Sequence, residues 1–429
     1  MASSSSSSGE FGVNGIHVAA FLGDLPLFKR LADEYQRLGP KIESIRDEDD
    51  HTVLHCAAAG GRTQVCEYIV EELKLDIDVK DIDDLTPLHT AILRGHFLTA
   101  VYLIENGADL NAATCLQRTP VHYAARLGPE ELLKLLIMKG ADVNAVADIG
   151  TPLVDAAYWG KKGFVRTLLD NNADPNAISY GLTSPLLASI ETRSIECVKL
   201  LLKAGADPNL SGSKVLIPLV VAARREDKEI IKCLLNAGAD PNVTNNSGMT
   251  PIEVAASRSF LEGVKIFFPV TSPIPAIPDW SIAGLIKHVC SDKAKEERKQ
   301  KLEEHILLSK SKGLEAFNRK DYYGAIKWYS EVYLSNNDAK MLSNRSLCWI
   351  RLNEGGLALQ EAENCIKRRP DWPKAHYRKG AAMMLLKDYK RAMDAFSIGL
   401  KLAPKNKELE HALREAMEAK LKEQHLSGK

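Results

Sequence analysis

Through the first two thirds of the chain, apolar residues come in two alternating arrangements. In one, Pro is followed by an aliphatic residue and then by a small pair, as in Pro120-Val-His-Tyr-Ala-Ala125. In the other, a Leu/Ile-rich run is broken by one Lys, as in Leu132-Leu-Lys-Leu-Leu-Ile137, Val198-Lys-Leu-Leu-Leu202 and Ile230-Ile-Lys-Cys-Leu-Leu235. The pattern predicts pairs of short helices. Pro fits the first turn, where its missing N–H costs nothing, and the small pair permits close helix packing. The arrangement is periodic: Pro87, Pro120, Pro152, Pro185, Pro218 and Pro251 are separated by 33, 32, 33, 33 and 33 residues. A second marker runs in step, with Ala-Asp after Gly107, Gly140, Asn172, Gly205 and Gly238. Gly there suits a left-handed helix cap, and an Asp/Pro-Asn turn leads into the next repeat.

A fixed period near 33 residues with Thr-Pro-Leu-His, whole at Thr86–His89 and nearly so at Thr119–His122, resembles the ankyrin repeat family. Earlier repeats keep His17 and His55 without the Pro; later ones carry Val154, Leu187, Val220 and Glu253 in place of His. The resemblance implies that these histidines make hydrogen bonds within and between repeats. It also implies about eight repeats over 12–268, stacked as a solenoid because no repeat can bury its apolar face alone. In this family the residues after Ala-Ala often face the groove. Here they include Arg94, Arg126, Tyr158, Trp159, Arg224 and Arg225. A Tyr-Trp pair flanked by Arg has the composition of an interface hot spot, against the plainer reading that Trp159 packs between helices.

Residues 269–304 break the pattern. Four prolines in Pro269-Val-Thr-Ser-Pro-Ile-Pro-Ala-Ile-Pro278 exclude helix and predict an extended, semi-rigid spacer. Asp279-Trp280-Ser281 reads as a helix start, and 293–301 as a solvated charged helix.

A second period follows. Ala325, Ala358 and Ala392 are spaced 33 and 34, and Pro370 and Pro404 are spaced 34, with Asn337 at the matching earlier place. Gly313 and Gly380 mark close helix contacts. This pattern resembles the tetratricopeptide repeat family, implying three helix pairs over 305–404 and a capping helix within 405–429. The expected fold class is therefore all-α, an ankyrin solenoid followed by a tetratricopeptide superhelix.

Lys374 and Arg378 lie i, i+4 on one helix and therefore on one face. Two cations held together make sense if an anion neutralises them. With Lys310 and Asn344-Arg345-Ser346, they resemble the dicarboxylate clamp of chaperone-binding tetratricopeptide proteins, which grips the C-terminal Asp of ninety- and seventy-kilodalton heat-shock chaperones ending Glu-Glu-Val-Asp. Lys310, Asn344, Lys374 and Arg378 match that pattern. Leu314 stands where it has Asn, and Asn318 lies one turn further on. The resemblance implies a co-chaperone-like adaptor with a second protein on the ankyrin groove. The alternative is a scaffold whose groove takes another acidic segment.

Composition narrows the remaining classes. Hydrophobic residues make up 45% and charged ones 26%, ordinary for a globular chain. The zero net charge hides a split. Residues 1–290 carry 27 Lys+Arg against 36 Asp+Glu, a net of −9; residues 291–429 carry 29 against 20, a net of +9. A basic half favours an anionic partner, with nucleic acid the weaker candidate beside an acidic peptide. The eight cysteines have neither C-x-x-C nor zinc spacing and read as free thiols of a reducing compartment. No apolar run is long enough to span a bilayer, and residues 1–11 read as a Ser-rich disordered tail. No phosphate loop, G-x-S-x-G or H-E-x-x-H is present. The expectation is a cytoplasmic protein, with nuclear entry open, that binds proteins, needs no cofactor or metal and is not an enzyme.

Overall fold

The computed structural model describes residues 14–38, 41–47, 49–180 and 182–427. Among these the chain is helical throughout, with no strand. The Ser-rich segment expected over 1–11 lies outside the described residues. The chain divides into two compact blocks, 1–145 and 146–429.

In the first block the helix pairs are Asn14–Leu22 with Leu25–Leu38, Val53–Ala59 with Thr63–Glu67 and its π-helical continuation Tyr68–Glu72, Pro87–Leu93 with Phe97–Glu105, and Pro120–Leu127 with Glu130–Met138. The second block continues with Pro152–Tyr158 and Lys162–Asp170, Pro185–Glu191 and Ile195–Lys203, Pro218–Arg225 and Lys228–Asn236, and Pro251–Ser257 and Leu261–Phe267. Each proline of the 33-residue series begins its helix, as its fixed φ favours.

The recurring chemistry of the period has a visible purpose. The Thr86 backbone N–H donates to His89 Nδ1 (3.1 Å), and the His89 N–H to Thr86 Oγ1 (3.5 Å), closing a reciprocal cap. In the preceding repeat His55 Nε2 donates to the carbonyl of Leu85 (2.9 Å), tying one repeat to the next. These rings must be neutral to accept at Nδ1, and burial pushes the pKa of both His55 and His89 down to about 4. The turn asparagines act across repeats too. Asn176 Oδ1 accepts from the Asp207 N–H (2.8 Å) while its Nδ2 donates to the Gly205 carbonyl (3.0 Å). Asn209 does the same with Asp240 and Gly238. That grip needs the Gly205 peptide in the left-handed region, at φ +90°, where a side chain would be strained.

The segment expected to be a spacer is packed. Ile277 is buried, Trp280 stacks on Phe268 at 5.3 Å, and the Ser272 N–H donates to Asn242 Oδ1 (2.8 Å), extending the asparagine series by one step. Proline excluded helix here, but it did not prevent apolar side chains from docking. The helix Ile282–Cys290, capped by Ser281, then packs on Pro251–Ser257. The charged stretch 293–301 is not a separate element. It is the front of one 27-residue helix, Asp292–Asn318, which continues through 305 because nothing in 292–318 breaks it.

Three antiparallel pairs follow: Asp292–Asn318 with Tyr322–Asn336, Ala339–Arg351 with Gly355–Arg368, and Pro373–Leu385 with Tyr389–Leu402; Lys407–Ser427 closes the series. Gly313 and Gly380 allow the close crossings. A Cβ on Gly380 would lie 2.4 Å from Phe396 Cε1, and one on Gly313 2.6 Å from Tyr329 Cε1. On the closing helix Leu409, Ala412 and Ala416 are buried, whereas Met417 is 42% exposed.

Candidate peptide-binding site

The helix Pro373–Leu385 begins at Pro373, which sets Lys374 in its first turn and Arg378 one turn later. Lys374 is exposed, but Arg378 is only 8% exposed. The two line one cavity of about 430 Å³ together with Leu347 and Arg351 from the preceding pair, Tyr377, and Asn406 and Glu408 at the start of the closing helix. Three cations thus face one carboxylate. The Arg378 guanidinium lies over the Tyr377 ring at 5.6 Å, and its buried Nε has no hydrogen-bond partner. Burial, first, draws the Arg378 pKa below its usual value; Arg351 adds to this, while Tyr377 and Glu408 oppose it. A buried donor with no acceptor costs free energy, and an anion entering the cavity would supply the missing acceptor.

Two of the expected clamp residues lie outside that cavity lining. Lys310 projects from Asp292–Asn318 and pairs with Asp338 (3.3 Å), the N-cap of Ala339–Arg351. Asn344 is half-buried on that next helix. Its neighbours are committed elsewhere. Arg345 pairs with buried Glu361, and Ser346 Oγ donates to the Ala358 carbonyl (2.8 Å). Leu314 is 56% exposed, and Asn318 is exposed as well.

Sequence reasoning missed Arg351. Its signal was its place seven residues, or two turns, beyond Asn344 on the same helical face.

The residues expected on the ankyrin groove divide between the blocks. In the first, Arg94 is exposed and Arg126 half-buried. In the second, Tyr158 and Trp159 are 50% and 52% exposed and pack edge to face at 5.7 Å, so Trp159 is not a residue buried between helices. Arg224 and Arg225 both pair with Glu191, a single carboxylate shared by two cations. Among the described residues no group of three or more His, Cys, Asp or Glu side chains could hold a metal ion, and no helix is long and apolar enough to cross a membrane.

Comparison with known proteins gives two kinds of similarity. A family model described as ankyrin repeats matches in three copies, over 69–147, 122–212 and 186–272. The chain is also similar to the Hsp70-Hsp90 organizing protein of Triticum aestivum, 38% identical over 110 residues, covering 25% of this chain and 19% of the relative. Hsp70-Hsp90 organizing protein 3 of Arabidopsis thaliana is 37% identical over 110 residues, covering 25% and 20%. A transient receptor potential cation channel subfamily A member 1 homolog of Caenorhabditis elegans is 34% identical over 152 residues, covering 35% and 12%. The chain spans a fifth or less of the length of each of these relatives.

Proposed function

From a chain that joins ankyrin repeats to tetratricopeptide repeats, we propose a protein-interaction adaptor whose tetratricopeptide groove grips the acidic C-terminal tail of a heat-shock chaperone while its ankyrin repeats hold a second protein. The carrying observation is the buried, partly unpartnered guanidinium of Arg378 beside Lys374 and Arg351 in one cavity. A carboxylate can accept from two donors at once, and charge-assisted bonds of this kind are the strong ones. Lys310 and Asn344 would hold the same terminal Asp, whose two carboxylates give each group of donors its own acceptor. The two relatives named for organizing Hsp70 and Hsp90 support this choice of partner. On the ankyrin side the exposed Tyr158 and Trp159 are the proposed anchor, since binding hot spots are enriched in Trp and Tyr. Linking two sites raises the effective concentration of one partner near the other.

The proposed role is binding and not catalysis. A cytoplasmic setting suits the eight free cysteines, and burial pushes the Cys348 thiol up to about 12, out of the reactive range.

The test is titration of the full chain with a fluorescent peptide ending Met-Glu-Glu-Val-Asp and with the same peptide amidated at its C-terminus. Micromolar binding lost on amidation, and weakened about tenfold or more by Lys374→Ala or Arg351→Ala, supports the reading. Equal binding of acid and amide favours the second reading, a scaffold for internal acidic segments, to which the exposed Leu314 points. Binding of neither peptide overturns the chaperone-tail reading and leaves the scaffold for another acidic segment.

A further inference from the structure

The second block carries a feature that the groove does not use. Its four ankyrin repeats present finger turns before their first helices, closed by backbone bonds at 147–150, 179–182, 213–216 and 245–248. One residue of each finger touches the tetratricopeptide helices. Gln360 Nε2 donates to Asp148 Oδ2 (2.9 Å). Tyr180 packs edge to face on Trp349 at 5.0 Å and stacks with Tyr323 at 6.0 Å. The Lys214 backbone N–H donates to Glu331 Oε1 (3.1 Å). Asn246 Nδ2 donates to Ser335 Oγ (3.0 Å). The four positions, 148, 180, 214 and 246, follow the ankyrin period at intervals of 32, 34 and 32. A row of equivalent fingertips therefore meets a run of successive helices.

Two of these contacts complete the interior of the tetratricopeptide module. Trp349 is 2% exposed, and it lies on the helix that also bears Asn344 and Arg351. Glu331 is 4% exposed; its carboxylate has the Lys214 N–H on one oxygen and His305 Nε2 on the other (3.3 Å). Without the fingers, a buried carboxylate keeps one of these two donors and a buried indole loses an aromatic neighbour. Each loss is of a kind that destabilises.

We infer that the fingertip row at Asp148, Tyr180, Lys214 and Asn246 is a docking surface for the chain's own tetratricopeptide module, which it completes as a folded unit and holds at a fixed position. Two consequences follow. The fingers of this block are closed to other proteins, so a partner of these repeats must use the helix-end surface of Tyr158 and Trp159. The tetratricopeptide module is not an independent unit, and its groove is presented rigidly and not on a tether. Neither consequence depends on what the groove binds.

Hydrogen exchange on the full chain, read by mass spectrometry, tests this. The Lys214 amide sits in a turn, and its acceptor is a side chain 117 residues away. It should exchange at least about a hundredfold more slowly than an open amide. Tyr323→Ala changes a side chain that is 51% exposed, so the fold survives. It should nonetheless speed exchange about tenfold in the segments 179–182 and 211–217, which lie on the other module. Tyr180→Ala should do the converse and loosen Ala339–Arg351. Leu261→Ala, exposed at the start of Leu261–Phe267 and no member of the row, should leave both unchanged. Fast Lys214 exchange in the unaltered chain, or effects of Tyr323→Ala confined to its own helix, would overturn the inference.

Discussion

Leu314 is the position at which the groove departs from the carboxylate-clamp pattern, and restoring Asn there should tighten binding about tenfold. The substitution is cheap for the fold. Leu314 is 56% exposed, so little buried apolar area is lost. The remaining cost is the poorer helix propensity of Asn near the end of Asp292–Asn318, under about 1 kcal/mol in total. The gain is an amide donor one turn from Lys310. A hydrogen bond to a charged group contributes about 1.5–3 kcal/mol, and ordering the new side chain takes back part of it, which leaves near 1.4 kcal/mol, one factor of ten. The donor matters more here because the Lys310 ammonium is already engaged by Asp338 at 3.3 Å. Fluorescence polarisation with the free-acid and amidated peptides, on the full chain and on its Leu314→Asn and Leu314→Ala variants, separates the causes. Only Leu314→Asn should strengthen binding, and only of the free acid. If Leu314→Ala strengthens it equally, removal of the leucine is responsible and no new bond forms. If acid and amide tighten together, position 314 does not face the terminal carboxylate.

Three further outcomes are expected. Gly380→Ala places a methyl 2.4 Å from Phe396 Cε1, and such overpacking should cost about 1–3 kcal/mol in urea unfolding; a neutral result would mean the crossing is looser than described. Glu361→Ala leaves the Arg345 guanidinium buried without its partner and should cost about 3–5 kcal/mol, whereas Glu361→Gln, which keeps an acceptor, should cost less; equal losses would argue against the pair. In the first block His55 and His89, held near pKa 4 by burial, are less protonated folded than unfolded, where His titrates near 6.5. Their contribution is therefore complete above about pH 6.5 and lost as pH falls toward 4, about 1–2 kcal/mol each by pH 5. His51 has the opposite sign. Its hydrogen bond to Asp81, with Asp47 adding to it against burial, raises it to about 9, so its contribution is present below about pH 6.5 and fades as pH rises through 9. Denaturation of His55→Gln and His51→Gln variants across pH 4.5–9.5 checks both signs: His55→Gln should mainly flatten the acid side of the profile and His51→Gln the alkaline side, with some cross-effect because both rings interact with Asp81.

The helix pairs were legible because each has local punctuation. Pro fixes the first turn, Gly or Asn takes the left-handed turn after the second helix, and the Asn that follows reaches the next repeat through its own amide. All of this lies within one period. The proline-rich segment was misread for a related reason. Four prolines decide the backbone conformation, but whether Ile277 and Trp280 find a surface depends on Phe268 and the last ankyrin helices, which local composition does not register. At the site, Lys374 and Arg378 were legible as a pair on one helix face. Their cavity was not, because its other cation, Arg351, belongs to another helix and alone resembles a solvated charge.

The fingertip row marks where sequence reasoning stops. Asp148, Tyr180, Lys214 and Asn246 keep the ankyrin spacing, so the row itself could have been drawn from the period. Their counterparts Gln360, Trp349, Glu331 and Ser335 follow no common spacing, and the hydrogen-bonded pairs are separated by 212, 117 and 89 residues. A buried carboxylate such as Glu331 is the trace such an interface leaves in a helix. It is a charge where the helical pattern asks for an apolar residue, and it is tolerable only if another part of the chain supplies a donor. From sequence it looks like an error in the repeat. In the structure the second donor is a backbone N–H of a distant turn, and a backbone N–H leaves no signature in the identity of Lys214.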